Sequence, residues 1–265
     1  MDPQSRDHWF APQHQSIVYP TRTERLVLKF MILAGIYALC VFVYWYFRID
    51  HRGHPVLFWL LTFSFGYKLL HLAYEWYYLL AIKRPEWRPP PPGLRVDMLT
   101  TYVPGEPRDM LENTLRAMVA VVYPHTTYLC DEGDDPYLKK LCAELGVVHV
   151  YRGPDKSGAK AGNINYALQH FATGDYCVIL DPDHVPVPEF LHRTLPYFDN
   201  PEVGYVQCIQ AYRNFRESLI AKSAAQQTYF FYGPLMMGMH GRGTVQAIGA
   251  NCTFRRAALD SIGGH

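Results

Sequence analysis

None of the six cysteines, at 40, 130, 142, 177, 208 and 252, falls in a C-x-x-C pair. That removes the spacing a zinc knuckle or a dithiol redox couple requires. Cys177 and Cys208 stand in apolar runs and read as buried small hydrophobes, which suits a reducing compartment. Net charge is lacking too: 25 Lys and Arg against 24 Asp and Glu leave a formal +1, so no general pull toward nucleic acid is implied. The first 25 residues have no apolar core and do not read as a cleavable signal peptide. No internal repeat stands out, and the G-x-x-x-x-G-K spacing of a P-loop is missing.

Apolar sequence is abundant, 49% of 265 residues, and it gathers before residue 83. Leu26 to Phe47 is a nearly unbroken run of 22 residues, roughly 33 Å as a helix and enough to cross a bilayer. Lys29 near its start is placed to snorkel, and Tyr44, Trp45 and Tyr46 form an aromatic belt at its other end. A second span is expected from Pro55 to about Ile82. In its latter half Lys68, His71 and Glu75 stand at i, i+3 and i+7 and share one helical face. Such a face either packs on partner helices or a polar channel, or emerges into the interface; both readings are open. Arg22, Arg25 and Lys29 precede the first run and Lys83, Arg84 and Arg88 follow the second, against Arg48 and Arg52 between them. The asymmetry predicts that both outer ends are cytoplasmic. The expected plan is a tail over 1–25, two transmembrane helices over 26–83, a stiff linker over 84–94 around Pro89–Pro92, and one domain over 95–265.

From Arg95 the texture alternates. Strands are expected at Val96–Thr101, Thr127–Cys130, Val147–Tyr151, Tyr176–Leu180 and Gly204–Cys208. Helices are expected at Met110–Val121, Pro136–Leu145, Ala161–Phe171 and Pro188–Phe198. The pattern is that of an α/β domain with a mainly parallel sheet, in which ligands sit at the carboxyl ends of strands. The sharpest local feature is Cys177-Val178-Ile179-Leu180-Asp181-Pro182-Asp183-His184. An apolar run ends in two carboxylates at i and i+2, which extended backbone turns to one side. Hard oxygen ligands suit Mg²⁺ or Mn²⁺ bridging to phosphate, and His184 can add a nitrogen; a plain acidic turn has the same sequence. Asp131 ends the second strand before Glu132-Gly133, and the first strand runs into Thr100-Thr101-Tyr102-Val103-Pro104-Gly105-Glu106-Pro107. Ser157 to Asn165 is a glycine-punctuated loop entering a helix, where amides and Lys160 suit a diphosphate, although a lone Lys160 also reads as a solvated side chain. Glu217 to His240, rich in aromatics and methionine, reads either as an interfacial or acceptor-facing element or as ordinary helix packing.

In this order the segments resemble the processive branch of glycosyltransferase family 2, the bacterial cellulose synthase-like membrane enzymes. The matching pieces are Thr101-Tyr102 with Glu106-Pro107, Asp131-Glu132-Gly133, Ala159-Lys160-Ala161-Gly162-Asn163, and Asp181-Pro182-Asp183-His184-Val185-Pro186, then Gly249-Ala250-Asn251 with Phe254-Arg255-Arg256. The resemblance implies a Rossmann-like GT-A domain over 95–265, two N-terminal membrane helices, and a plasma (inner) membrane enzyme with its domain in the cytoplasm. It implies an inverting transfer from a UDP-sugar, most simply UDP-glucose, to a growing β-linked polysaccharide, with Mg²⁺ or Mn²⁺ as cofactor and synthase subunits or membrane helices as partners. Tyr102 and Asp131 would hold the nucleobase and ribose, Lys160 and Asn163 would flank the diphosphate, and Thr101, Glu106 and Asp181 would also contact the donor; Asp181, Asp183 and His184 would bind the metal, and Gly249–Asn251 would lie near the sugar or acceptor. The family's catalytic base and Q-x-x-R-W motif would fall beyond His265, so residues 1–265 are expected to bind donor without transferring from it. The sequence departs from the family at Val103-Pro104-Gly105, which separates Tyr102 from Glu106, and at Glu132, where cellulose synthases often carry Asp. A non-processive enzyme acting on a lipid or protein, and a non-catalytic nucleotide-binding subunit, are the other two functions this pattern admits.

Overall fold

A computed structural model of the chain describes residues 20–83, 88–154 and 156–265. The tail expected before residue 20, Arg84 and part of the expected linker lie outside the described residues. The chain divides into two compact units: one holds described residues of 86–209 and 247–265, the other those of 14–85 and 210–246. The segment 210–246, read from sequence as part of the 95–265 domain, therefore groups with the apolar helices.

In that second unit, α1 (Arg22–Tyr46) starts at a capping box in which the Thr21 hydroxyl accepts from Glu24 N and the Glu24 carboxylate from Thr21 N. Pro55 opens α2 (Pro55–Leu79), where its missing amide costs nothing. Both helices are long and apolar enough to cross a membrane, with only 6% of each apolar window buried within the chain. The Tyr46 ring stacks on Phe58 at 5.0 Å and its hydroxyl reaches Thr62 Oγ1 at 3.0 Å, joining the two helices. On the polar face of α2, His71 and Glu75 pair with each other at 3.2 Å. Later in the chain come α7 (Leu219–Phe230), a π-helical turn (Phe231–Leu235) containing Pro234, and α8 (Met236–Arg242). Leu235, Met236 and Met239 pack with Tyr78, so these methionines serve helix packing. Gly241 carries no side chain because Ala81 O occupies the place of its Cβ, which lets α8 lie against the chain just after α2.

The first unit is built on a six-stranded sheet of order β3-β2-β1-β4-β6-β5. Its strands are β1 (Val96–Tyr102), β2 (Thr126–Asp131), β3 (Val148–Val150), β4 (Tyr176–Ile179), β5 (Tyr205–Gln207) and β6 (Cys252–Arg255). Among β1 to β4 every pairing is parallel, whereas β6 runs antiparallel to both β4 and β5. The sequence reading found the first five strands and missed β6, whose four residues carry Thr253 and Arg255 and too short a period to read.

Against one face lie α3 (Arg108–Val119), α4 (Pro136–Leu145) and the short α6 (Phe190–Thr194), with Met98, Leu111, Leu115, Leu129 and Leu191 fully buried. Expected as one helix over 188–198, that last element breaks at Pro196 into a 3₁₀ turn (Leu195–Asp199). The other face is covered by α5 (Ala159–His170) and α9 (Arg256–Ser261), which bury Leu99, Ile164, Ile179 and Leu259. Since the carboxyl ends of β1, β2 and β4 all point one way, Tyr102, Asp131 and Asp181 collect at a single edge. Because β6 is antiparallel, with Ile179 facing Cys252, the segment 249–251 that precedes it arrives at that same edge.

Candidate active site

The residues from Asp181 to His184 follow β4 as a tight turn. His184 N donates to Asp181 O at 3.0 Å, and Asp181 N donates back to His184 Nδ1 at 3.4 Å. Pro182 at the second position suits such a turn. Ligand atoms of Asp181, Asp183 and His184 lie within 4.8 Å of one another, close enough for one divalent cation to meet all three. The donor set, two carboxylates and an imidazole half-open to solvent, suits Mn²⁺ or Mg²⁺. Lys160, in the first turn of α5, forms an ion pair with Asp181. The diphosphate-type lysine and the metal-type carboxylate are thus neighbours, though 21 residues apart in sequence.

The loop before α5 is held by Arg152, whose side chain is nearly buried. Its guanidinium donates to Ser157 O at 2.6 Å, to Ala159 O at 3.3 Å and to the Glu132 carboxylate at 2.9 Å. These bonds span a stretch in which Gly158 and Ala159 both take positive φ, of 70° and 46°; for alanine that conformation is strained. Glu132, where the family often has Asp, thereby gains a definite task. The two asparagines that follow both bond backbone groups elsewhere in the unit. Asn163 is fully buried and donates from Nδ2 to Cys130 O at 2.9 Å, so it secures the end of β2 to α5. The diphosphate role that the resemblance implies for Asn163 stays an expectation, since its Oδ1 is buried and takes no hydrogen bond from the described residues. Asn165 bonds both backbone groups of His265, accepting from N at 2.7 Å and donating to O at 3.1 Å. His265 is brought into the electrostatic reach of Lys160 and Asp181. Burial, then the Lys160 charge, push its imidazole below the usual range, with Asp181 opposing.

At the end of β2, Asp131 is fully buried. Its Oδ1 accepts from Gly133 N at 2.7 Å, and Oδ2 accepts from Asp135 N at 2.7 Å and from His149 Nε2 at 2.9 Å. Burial raises its pKa, but the His149 bond and the two amides outweigh burial and hold the carboxyl below its ordinary value. A depressed folded-state pKa stabilises the fold above the unfolded value of about 3.9, and the gain vanishes as pH falls through the folded value. Asp131→Asn is therefore expected to be less stable than the wild type at pH 7 and to converge with it in acid. Urea unfolding at both pH values measures the gap; a gap of the same size at both would contradict the charged role.

Tyr102 is also buried, and its hydroxyl donates to Glu106 O at 3.2 Å, while the Glu106 carboxylate accepts from Val103 N at 2.8 Å. Thr101 is buried on the opposite face of β1. The inserted Val103-Pro104-Gly105 lets Glu106 fold back on its own loop. Tyr102, expected to serve the nucleoside, therefore has no exposed ring face in this structure. Asp181, Asp183, His184 and Lys160 converge as one open cluster, whereas Thr101, Tyr102, Asp131 and Asn163 are buried. His149, Arg152 and Thr114 escaped the sequence reading. His149 left only an alternating V-H-V pattern, and Arg152 looked like any loop cation.

Over residues 100–265 the sequence matches the profile of glycosyltransferase like family 2. The chain belongs to that family. It is 30% identical over 174 residues to the UDP-forming cellulose synthase catalytic subunit of Xanthomonas axonopodis pv. citri (strain 306), an alignment covering 63% of this chain and 23% of that protein. With a UDP-forming catalytic subunit of the cellulose synthase of Dictyostelium discoideum it shares 34% identity over 140 residues, 51% of this chain and 13% of that protein. The matches thus span less than a quarter of these relatives. In fold it is similar to the mannosyltransferase PcManGT from Pyrobaculum calidifontis, solved with GDP-Man and Mn²⁺. The TM-score is 0.56 at 22% identity, covering 73% of this chain and 54% of that one.

Proposed function

We propose that this chain is the donor-binding part of a membrane-bound inverting glycosyltransferase. It takes sugar, glucose in the simplest case, from a UDP-sugar on the cytoplasmic side and passes it to a growing β-linked polysaccharide. The observation that carries this reading is the convergence of Lys160 with Asp181, Asp183 and His184 at the carboxyl edge of a family 2 glycosyltransferase sheet. The UDP-forming cellulose synthases among its relatives support the donor and the polymer. The two apolar helices and the basic flanks support membrane attachment and a cytoplasmic domain.

Asp181, Asp183 and His184 would hold Mg²⁺ or Mn²⁺, which when bound neutralises charge on the diphosphate. Lys160 adds a second positive charge at the mouth of α5, whose first-turn amides also favour an anion. Glu132 and Arg152 fix the loop that carries Lys160, and Gly249–Asn251 borders the edge where sugar and acceptor would meet. Four acids after His184, namely Glu189, Asp199, Glu202 and Asp260, stand in no base-like motif. Asp199 is paired with Arg88 and Asp260 with Arg256, each at 2.8 Å. Glu189 stands at the N-cap position of α6 without a side-chain capping bond, and Glu202 N donates to Asn200 Oδ1 in a turn.

The test is calorimetric titration of UDP, GDP and UDP-glucose into the 265-residue chain in detergent, in Mn²⁺ and in EDTA. Tightest binding is expected for the UDP compounds and only with the cation. Lys160→Ala separates two roles by sign. Removing a competing cation from Asp181 should tighten Mn²⁺ binding, while loss of a positive charge should weaken UDP, each by about five- to tenfold. Equal affinity with and without EDTA would sink the metal reading.

A further inference from the structure

We propose that Thr114 is a positioning residue for the Asp181–His184 turn, an inference that rests on the metal reading above. The buried residues of α3 are Leu111, Thr114, Leu115 and Met118, so a hydroxyl occupies one place on an otherwise apolar stripe. Burying a hydroxyl without a partner is unfavourable, and threonine inside a helix commonly bonds the carbonyl one turn back. Thr114 instead donates to Pro182 O at 2.8 Å, across 68 residues of sequence. A polar group that breaks the local apolar pattern and reaches the centre of a metal-type motif points to function.

Geometry gives the bond its task. The Pro182 ring fixes φ near −65°. A hydrogen bond on the Pro182 carbonyl fixes the plane of the Pro182–Asp183 peptide, and with it ψ of Pro182. With both torsions set, the Cα of Asp183 is set relative to Asp181. That matters because the Asp183 side chain is 63% exposed and its carboxylate stands 3.8 Å from His184 Nε2, beyond hydrogen-bond range. Asp183 is therefore placed by its backbone, and Thr114 ties that backbone to the body of the domain.

Thr114→Val keeps the shape and removes the donor; Thr114→Ser restores the donor. Three readouts apply to the full chain in detergent: Mn²⁺ affinity from the paramagnetic resonance of free Mn²⁺, UDP affinity in Mn²⁺ and in EDTA, and thermal melting. In Thr114→Val, Mn²⁺ affinity and Mn²⁺-dependent UDP affinity are expected to fall about five- to tenfold, with recovery to within about twofold in Thr114→Ser. UDP affinity in EDTA should be the same in all three proteins. Wild-type Mn²⁺ affinity in Thr114→Val, or a loss that Thr114→Ser does not recover, overturns the proposal. Asp181→Ala is run beside them: if it too leaves Mn²⁺ binding intact, the metal reading itself has failed. Should Thr114→Val not fold, Thr114→Cys, which keeps a weak donor, replaces it; partial loss supports the role and unchanged affinity overturns it.

Discussion

Asp181→Ala is expected to abolish cation-dependent binding of UDP, bringing affinity in Mn²⁺ down to its value in EDTA. Disturbing residues around a metal ligand already costs about 10–100-fold, so loss of a ligand should cost about a hundredfold or more. Asp181 is also the partner of Lys160, so the substitution frees that lysine for the diphosphate. Binding in EDTA should therefore hold steady or rise slightly, which separates a lost metal site from a lost fold. Asp183→Ala removes a ligand without touching Lys160, and should lower affinity in Mn²⁺ with no change in EDTA. Circular dichroism should be native in both, because the turn is exposed and contributes little to the core. Retention of the full Mn²⁺ effect in both variants would falsify the assignment of the cation to this turn.

The second large effect concerns Gly162. A Cβ there would fall on Ser157 O and 2.6 Å from an Arg152 guanidinium nitrogen. Neither can yield easily, since Arg152 is bonded to Ser157 O, Ala159 O and Glu132 at once. Forcing atoms into a packed region costs about 1–3 kcal/mol. Gly162→Ala should therefore lower the melting temperature by roughly 5–10 °C for a domain of this size and weaken UDP through a displaced Lys160. Gly162→Ala at wild-type melting temperature, with UDP binding unchanged, would show that the loop can relax around the methyl group.

Much of this arrangement was legible in the sequence because parallel strands impose a simple rule: whatever follows an apolar run lies at one edge. Asp131 and Asp181 could be placed by that rule alone, and so could Lys160 at the start of its helix. Burial was not legible. Asp131, Tyr102 and Asn163 read as ligand contacts in the sequence, and they are enclosed, because three hydrogen bonds to Asp131 come from Gly133, Asp135 and His149, none of which advertises a partner. The antiparallel strand Cys252–Arg255 was hidden by its length, and with it the reason that Gly249–Asn251 reaches the site. Continuity alone assigns the 210–246 segment to the 95–265 domain, whereas in the structure it groups with the apolar helices, and no composition change marks its boundaries. Its aromatics and methionines pack in the same way in either place.

The position of β6 between β4 and β5 governs how the sheet can be assembled during synthesis. The first four strands appear in an order that lets each find a parallel neighbour already made or soon to follow. The outer edge of β4 then stays unpaired while about seventy more residues are added, and β5 has no partner at all until β6 arrives. Throughout that interval the run Cys177-Val178-Ile179-Leu180 offers an apolar open edge, the kind that recruits foreign strands. A ribosome paused before Cys252, or a chain cut there, would expose that edge for as long as the pause lasts. The polypeptide between β5 and β6 meanwhile belongs to the unit of the apolar helices, so closing the sheet depends on a segment that has first left it and then returned.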